Sequence, residues 1–260
     1  MKSFGVIGCG KMGQALVSRI APNIDCPIIC CDVNPEARQA MKKLVGERVE
    51  VVDSSKKIVD ECDVVLVAVK PAQAPDVLAE LALGGKKLIL SIVAGIRYDS
   101  LCEMAKNGEV VRIMPNTPAM VGAGSMVILD SNLSDETREL VRKLLSVAGS
   151  CHFIRDEKLM DAVTGLSGSS PALFAMLIEA LADAAVAEGL PRNMAFELAR
   201  ETMLGTAKLL ERQHPAILKE NVMSPNGTTA AGVLAAEKAG LRHAAAEFVC
   251  AATRKSRSMG

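Results

Sequence analysis

Aromatic residues are nearly missing from this chain of 260 residues: it has no tryptophan, one tyrosine (Tyr98) and five phenylalanines. Stacking platforms for single-stranded nucleic acid need such rings in series, which argues against that partner. An excess of one charge is missing too. Lys and Arg number 30, Asp and Glu number 30, and the net charge is zero, so no broad electrostatic footprint for nucleic acid exists. The longest apolar runs, such as Val64–Val69 and Leu88–Ile96, fall short of the ~20 residues a bilayer requires, so no membrane is expected. No basic stretch and long apolar segment stand before Ser3-Phe-Gly-Val-Ile-Gly8, which reads as the absence of a signal peptide and predicts a cytoplasmic protein. No CxxC pair occurs, and His152, His214 and His243 are scattered, so no metal site is expected. The eight cysteines (Cys9, Cys26, Cys30, Cys31, Cys62, Cys102, Cys151, Cys250) fall mostly in or beside apolar runs and read as reduced, buried thiols.

Half the residues are hydrophobic and 23% are charged, the balance of a globular chain. Short β-branched runs alternate with helical patterns over residues 1–155. Strands are predicted at Phe4–Ile7, Pro27–Cys31, Val49–Val52, Val64–Val69, Lys87–Ser91, Val110–Ile113, Met126–Leu129 and Cys151–Ile154. Helices are predicted at Met12–Ile20, Pro35–Leu44 and from Ser134 to about Val147. This alternation implies an α/β domain with a mostly parallel sheet covered on both faces. After Asp156 no strand pattern remains. Pro171–Glu188, Asn193–Glu211, Thr229–Ala239 and Arg242 to about Arg254 read as helices, so residues 156–260 form a second, all-helical domain. Pro171–Glu188 is apolar most of the way round and carries only Glu179, Asp183 and Glu188. Such a helix must be covered, either by a partner subunit or by the first domain.

Gly8-Cys9-Gly10-Lys11-Met12-Gly13 follows the first strand and opens the first helix, the setting of a dinucleotide-binding turn. Gly8 allows the tight turn, Gly10 lets a pyrophosphate approach the backbone, and Gly13 lets helix and strand pack closely. Asp32 ends the second strand, where an acid accepts hydrogen bonds from an adenosine ribose and repels a 2′-phosphate, which favours NADH; it could instead cap the Pro35 helix. Ala68-Val69-Lys70-Pro71, Val93-Ala94-Gly95 and Met114-Pro-Asn-Thr-Pro118 end three further strands and suggest one crevice. Asn116 offers a carboxamide for a nicotinamide, or a turn before Pro118. Two loops in the helical region, Ser167-Gly-Ser-Ser-Pro171 and Ser224-Pro-Asn-Gly-Thr-Thr229, combine hydroxyls with helix starts. That suits a carboxylate, although helix capping explains one hydroxyl in each.

Alcohol oxidation lacks its base. The Tyr-x-x-x-Lys of short-chain dehydrogenases is missing, since position 102 is Cys. Where hydroxyacid dehydrogenases with a helical second domain carry Lys and Asn, this chain has Phe174 and Ile178. A carbon–nitrogen double bond needs less help, because a protonated imine is already electrophilic. A different two-domain NAD(P) enzyme and a non-catalytic NAD(P) sensor are the rival readings.

Ala68-Val-Lys-Pro71, Arg112-Ile-Met-Pro-Asn-Thr-Pro118, Ala162-Val-Thr-Gly-Leu-Ser-Gly-Ser-Ser-Pro171 and Leu218-Lys-Glu-Asn-Val-Met-Ser-Pro-Asn-Gly-Thr-Thr229 together resemble the Δ1-pyrroline-5-carboxylate reductases of proline biosynthesis. The resemblance runs over essentially the whole chain. It implies an N-terminal Rossmann-type domain, a C-terminal helical dimerisation domain, and homodimers that assemble into decamers. It also implies a site where NADPH or NADH meets the second domain of a partner subunit. For the coenzyme it implies Ile7, Gly8, Cys9, Gly10, Lys11 and Met12 at the phosphates, Asn34 and Ser55 at the adenosine, then Ala68–Pro71 and Val93–Gly95. For the substrate it implies Ser224, Gly227, Thr228 and Thr229, with Thr229 nearest the ring nitrogen, and Glu211 despite different local spacing. Asn226 and Ser170 stand where the family usually has Gly. Asn tolerates positive φ, so the first substitution is expected to keep the loop shape, while Ser170 is expected to narrow the pocket.

Overall fold

A computed structural model of the chain describes residues 1–259. Eight strands, β1 (Phe4–Ile7), β2 (Ile28–Cys31), β3 (Glu50–Val52), β4 (Val64–Val67), β5 (Leu88–Ser91), β6 (Glu109–Met114), β7 (Gly124–Leu129) and β8 (Gly149–Ile154), form one sheet in the order β3-β2-β1-β4-β5-β6-β7-β8. The order reverses between β1 and β4, the switch point at which open α/β sheets bind ligands. Helices α1 (Lys11–Ile20), α2 (Pro35–Val45), α3 (Lys56–Glu61), α4 (Ala74–Leu83), α5 (Tyr98–Ala105) and α6 (Asp135–Ser146) cross between strands. The sequence reading did not assign α3, α4 or α5.

The central strands are apolar throughout because both faces are covered. Successive residues point to opposite sides. Phe4, Val6, Leu66 and Leu90 join one buried cluster, while Ile7, Val65, Val67 and Ile89 join the other. All strand pairs are parallel except β6 and β7. The connection 115–123 is shorter than the crossover of about a dozen residues that a parallel neighbour needs, so the chain turns back through the short helical turn Thr117–Val121.

The chain divides into two compact units, Met1–Ser169 with Ala252–Gly260, and Ser170–Ala251. Composition changes at Asp156, but the first unit continues beyond it. Met160, in α7 (Leu159–Val163), packs with Val127 and Leu129 of β7. Ser256 donates to Asp161 Oδ1 at 2.7 Å, which ties the end of the chain to this unit.

The second unit is helical: α8 (Ser170–Ala187), α9 (Arg192–Leu209), α10 (Pro215–Asn221), α11 (Thr228–Lys238) and the greater part of α12 (Leu241–Arg257). In α8 only Ser170 and Ala182 are buried, and Phe174, Met176 and Leu181 are each more than half exposed. The helical run Leu159–Ala187 is long and apolar enough, by length and composition, to cross a membrane. The expectation drawn from Val64–Val69 and Leu88–Ile96 did not extend to this stretch, where Asp161, Thr164 and Ser167 separate the apolar residues of its first part.

Candidate functional site

The turn after β1 is shaped by close approach. Gly8 has φ +109°, and a Cβ there would lie 2.4 Å from the Ala68 carbonyl oxygen at the end of β4. A Cβ on Gly13 would lie 2.2 Å from the Gly8 carbonyl oxygen. Gly10 differs, since a Cβ there would meet nothing within 4 Å. It faces open space and caps α1 with no side-chain hydrogen bond. The first helical bond is Gln14 N–H to the Gly10 carbonyl at 2.9 Å, so the N–H groups of Lys11, Met12 and Gly13 lack intrahelical acceptors. Open space above uncapped N–H groups at the positive end of a helix fits the diphosphate of a dinucleotide.

From this turn a cleft of about 560 Å³ runs across the ends of β1, β2, β3 and β4. It is lined by nine of the coenzyme residues expected from sequence: Ile7, Gly8, Gly10, Asp32, Asn34, Ser55, Ala68, Val69 and Lys70. Cys9, Lys11, Met12, Gly13 and Pro71 lie beside these without lining it. Asp53, Ser54, Gln73, Val77 and Glu80 also line the cleft and were missed. Helical spacing at 73, 77 and 80 was the available signal for the last three.

Asp32 is engaged in a way not foreseen. Its Oδ2 accepts the Cys9 N–H at 2.7 Å and its Oδ1 accepts the Asn34 N–H at 2.8 Å. The carboxylate therefore clamps the glycine turn to the end of β2. It does not cap α2, because the cap is Asn34, whose Oδ1 accepts the Glu36 N–H at 2.8 Å. Arg38 Nη1 donates to the carbonyls of Asp32 and Val33, at 2.7 and 3.1 Å. Beneath the turn, a hydrogen bond with Cys9 and burial push the Cys30 thiol well up. Burial, then the charges of Cys9 and Asp32, push Cys31 up to about 11. Both are protonated, inert thiols at neutral pH.

The ends of β5 and β6 depart further from expectation. Val93 is buried. Ala94 is exposed and Gly95 half-buried. Gly95 borders a separate hollow of about 290 Å³ with Arg97, Arg112, Glu157 and Arg257. Arg112 pairs with Glu157, whose Oε1 also accepts the Tyr98 N–H at 2.5 Å, so this arginine joins β6 to α5 and to the segment after β8. Asn116 begins the turn Thr117–Val121 through its main-chain carbonyl. Its carboxamide is engaged on both sides: Oδ1 accepts the Ser125 N–H at 2.8 Å, and Nδ2 faces the Ser167 Oγ at 3.2 Å and carbonyl at 3.3 Å. The amide joins β7 to a π-helical turn, Thr164–Gly168, which leaves it occupied in place of the free group expected for a nicotinamide.

In the second unit, the loop before α11 has the shape its sequence requires. Asn226 takes φ +59°, the left-handed region that Asn tolerates. A Cβ on Gly227 would lie 2.2 Å from Ser224 Oγ, so only glycine lets the loop close over that hydroxyl. Gly227 caps α11 with no side-chain hydrogen bond. The first helical bond is Ala231 N–H to the Gly227 carbonyl at 3.2 Å, which leaves the N–H groups of Thr228, Thr229 and Ala230 without intrahelical acceptors. Ser224, Thr228 and Thr229 are exposed. Helix capping, the alternative use for these hydroxyls, is thus not what they do. Glu211 is also exposed, but it lines a different hollow with Gly205, Lys208 and Arg212. Ser170 is buried. Among the described residues, no group of three His, Cys, Asp or Glu side chains could hold a metal ion.

Residues 157–259 match a family described as pyrroline-5-carboxylate reductase dimerisation, and residues 3–95 match NADP oxidoreductase, coenzyme F420-dependent. A pyrroline-5-carboxylate reductase of Arabidopsis thaliana is 39% identical over 98% of this chain and 94% of its own length. The Escherichia coli protein of that name is 33% identical over 99% and 98%. The crystal structure of Plasmodium falciparum pyrroline carboxylate reductase with NADP bound superposes with a TM-score of 0.87 at 30% identity, covering 99% of this chain and 98% of that one.

Proposed function

This chain belongs to the pyrroline-5-carboxylate reductase family, and on that premise we propose that it reduces Δ1-pyrroline-5-carboxylate to L-proline with a reduced nicotinamide dinucleotide, NADPH or NADH. The observation that carries the reading is a pair of helix starts left open, α1 at Gly10 and α11 at Gly227. A protein that needed these helices only for its fold gains from a Ser, Thr, Asp or Asn at the cap. Glycine at both caps leaves two sets of N–H groups for anions, one suited to a diphosphate and one to a carboxylate.

When bound, the coenzyme supplies the hydride. The chain supplies position. The glycine turn and the N–H groups of Lys11 and Met12 hold the diphosphate, with Gly13 setting the helix close to the strand. Asp32, Asn34 and Ser55 receive the adenosine side, and Ala68–Pro71 with Val93–Gly95 border the path toward the nicotinamide. Ser224, Gly227 and Thr228 hold the substrate carboxylate. The Thr229 hydroxyl accepts a hydrogen bond from the protonated ring nitrogen, orients the imine for the hydride, and relays a proton from solvent to the amine that forms. Glu211, two residues beyond α9, lines a different hollow, and its part in substrate binding rests on the family resemblance alone. The imine requires no base to activate an alcohol and no metal ion, in keeping with Phe174 where hydroxyacid dehydrogenases hold a lysine.

A second copy of the chain covers the apolar faces of α8 and α9, so the protein is at least a homodimer; decamers are the larger assembly this family reading supports. The same contact accounts for the apolar length of Leu159–Ala187 without a membrane. Eight free cysteines suit a reducing cytoplasm. Incubation with pyrroline-5-carboxylate and NADH or NADPH should consume the coenzyme and form proline. Coenzyme binding with no turnover would make the protein a sensor, and turnover of a hydroxyacid alone would make it a dehydrogenase.

A further inference from the structure

The adenosine end of the cleft carries a pattern of charge and hydrogen-bond polarity that reaches beyond the sequence-level case for Asp32. Three acids line the cleft, Asp32, Asp53 and Glu80, and the one cation among its lining residues is Lys70. Arg38 stands near the same corner without lining the cleft; its Nη1 is bound to the carbonyls of Asp32 and Val33, leaving Nε and Nη2 as its remaining donors. The Asp32 carboxylate is held from both sides by the N–H groups of Cys9 and Asn34, so it cannot swing away from an incoming anion. Each of its oxygens retains a lone pair for a ribose hydroxyl.

Ser55 adds the second element. Its hydroxyl donates to Glu80 Oε2 at 2.5 Å. A hydroxyl has one proton, and that proton is directed at Glu80, so Ser55 presents only acceptor lone pairs to a ligand. A ribose 2′-hydroxyl can donate to such an acceptor. A 2′-phosphate, with about two negative charges and only acceptor oxygens at neutral pH, cannot. Asn34 keeps one neutral donor, Nδ2, because its Oδ1 is engaged by Glu36.

We propose that this corner selects NADH over NADPH, and that Glu80 is a specificity-determining residue acting through the Ser55 hydroxyl. The proposal rests on the reading of the cleft as a dinucleotide site, but not on the identity of the imine.

The test is titration of the full-length protein with NADH and with NADPH, followed by coenzyme fluorescence without substrate. The unmodified protein should bind NADH about tenfold more tightly or better. Glu80→Gln keeps the shape, removes the charge and offers Ser55 an amide N–H to accept from, so that the Ser55 hydroxyl can turn its proton toward a ligand. It should tighten NADPH several-fold with little change for NADH. In a Ser55→Ala background the same change should lose most of that effect. Asp32→Ser should shift the ratio toward NADPH by about tenfold, whatever it costs in affinity for both coenzymes. Preference of the unmodified protein for NADPH, or equal shifts for both coenzymes in Glu80→Gln, would overturn the proposal. Selective NADH binding without imine turnover would leave it standing and remove the proposed reaction instead. Turnover with a preference for NADPH would do the reverse.

Discussion

Replacing Thr229 with valine isolates one hydroxyl. Thr229 is the second residue of α11 and is exposed. The helix is capped by Gly227, with no side-chain bond from any residue, so the Thr229 hydroxyl is not needed to start it. Valine is also β-branched and has nearly the same helix propensity, so α11 should form as before and Tm should stay within a degree or two. The loss then falls on the substrate. One hydrogen bond between this hydroxyl and a protonated ring nitrogen contributes about 1.5–3 kcal/mol. Removing it should lower kcat/KM for pyrroline-5-carboxylate roughly 10- to 150-fold. NADH and NADPH affinities, read by coenzyme fluorescence, should not move. Near-normal turnover by Thr229→Val would refute the reasoning. The proton would then come directly from solvent, and Thr229 would be an ordinary first-turn residue.

Other outcomes follow from the same geometry. Gly10→Ala places a methyl group in open space, so the protein should keep its Tm while coenzyme affinity falls about tenfold or more. Gly8→Ala sets a methyl group 2.4 Å from the Ala68 carbonyl at φ +109°, so it should lower Tm as well. Asp63 accepts the N–H groups of Lys2 and Ser3 at 2.9–3.1 Å; burial raises its pKa, and these bonds outweigh burial to hold it below the ordinary 3.8. A lowered folded pKa stabilises the fold above the unfolded value and ceases to do so as pH falls through the folded one. Asp63→Asn should therefore destabilise at pH 7 and approach the unmodified protein below about pH 4; a constant difference across that range would contradict the account. Light scattering should give at least twice the 27.4 kDa of one chain. A fully active monomer would rule out the covered faces of α8 and α9.

Much of this protein is written in local sequence. The buried strand Val64–Val67 is a continuous apolar run because two layers of helix cover it, and a run of that kind needs no distant information to recognise. Gly8, Gly10 and Gly13 announce a turn because their spacing sits between one strand and the helix that follows it, and the Gly13–Gly8 approach is local; the approach of Gly8 to Ala68 belongs to the fold. Asn226 could be expected at positive φ for a similarly local reason, and the crowding of hydroxyls between Ser224 and Thr229 marked the exposed loop that opens α11. These are short-range properties, in which the residue type and its immediate neighbours carry the physics.

What only the tertiary structure decided involves partners far apart in the chain. Asp32 reads as a ribose ligand, with helix capping as the alternative, until the fold brings the Cys9 N–H to it, 23 residues away. The Ser55 hydroxyl is a donor or an acceptor toward ligand depending on Glu80, which α4 presents from 25 residues further on. Asn116 offers a free carboxamide until Ser125 and Ser167 engage both its ends. The return of Ala252–Gly260 to the first unit has no mark in composition. Hydrogen-bond polarity depends on which groups are adjacent in space. The linear sequence states which donors and acceptors exist, and the fold alone determines which of them remain free.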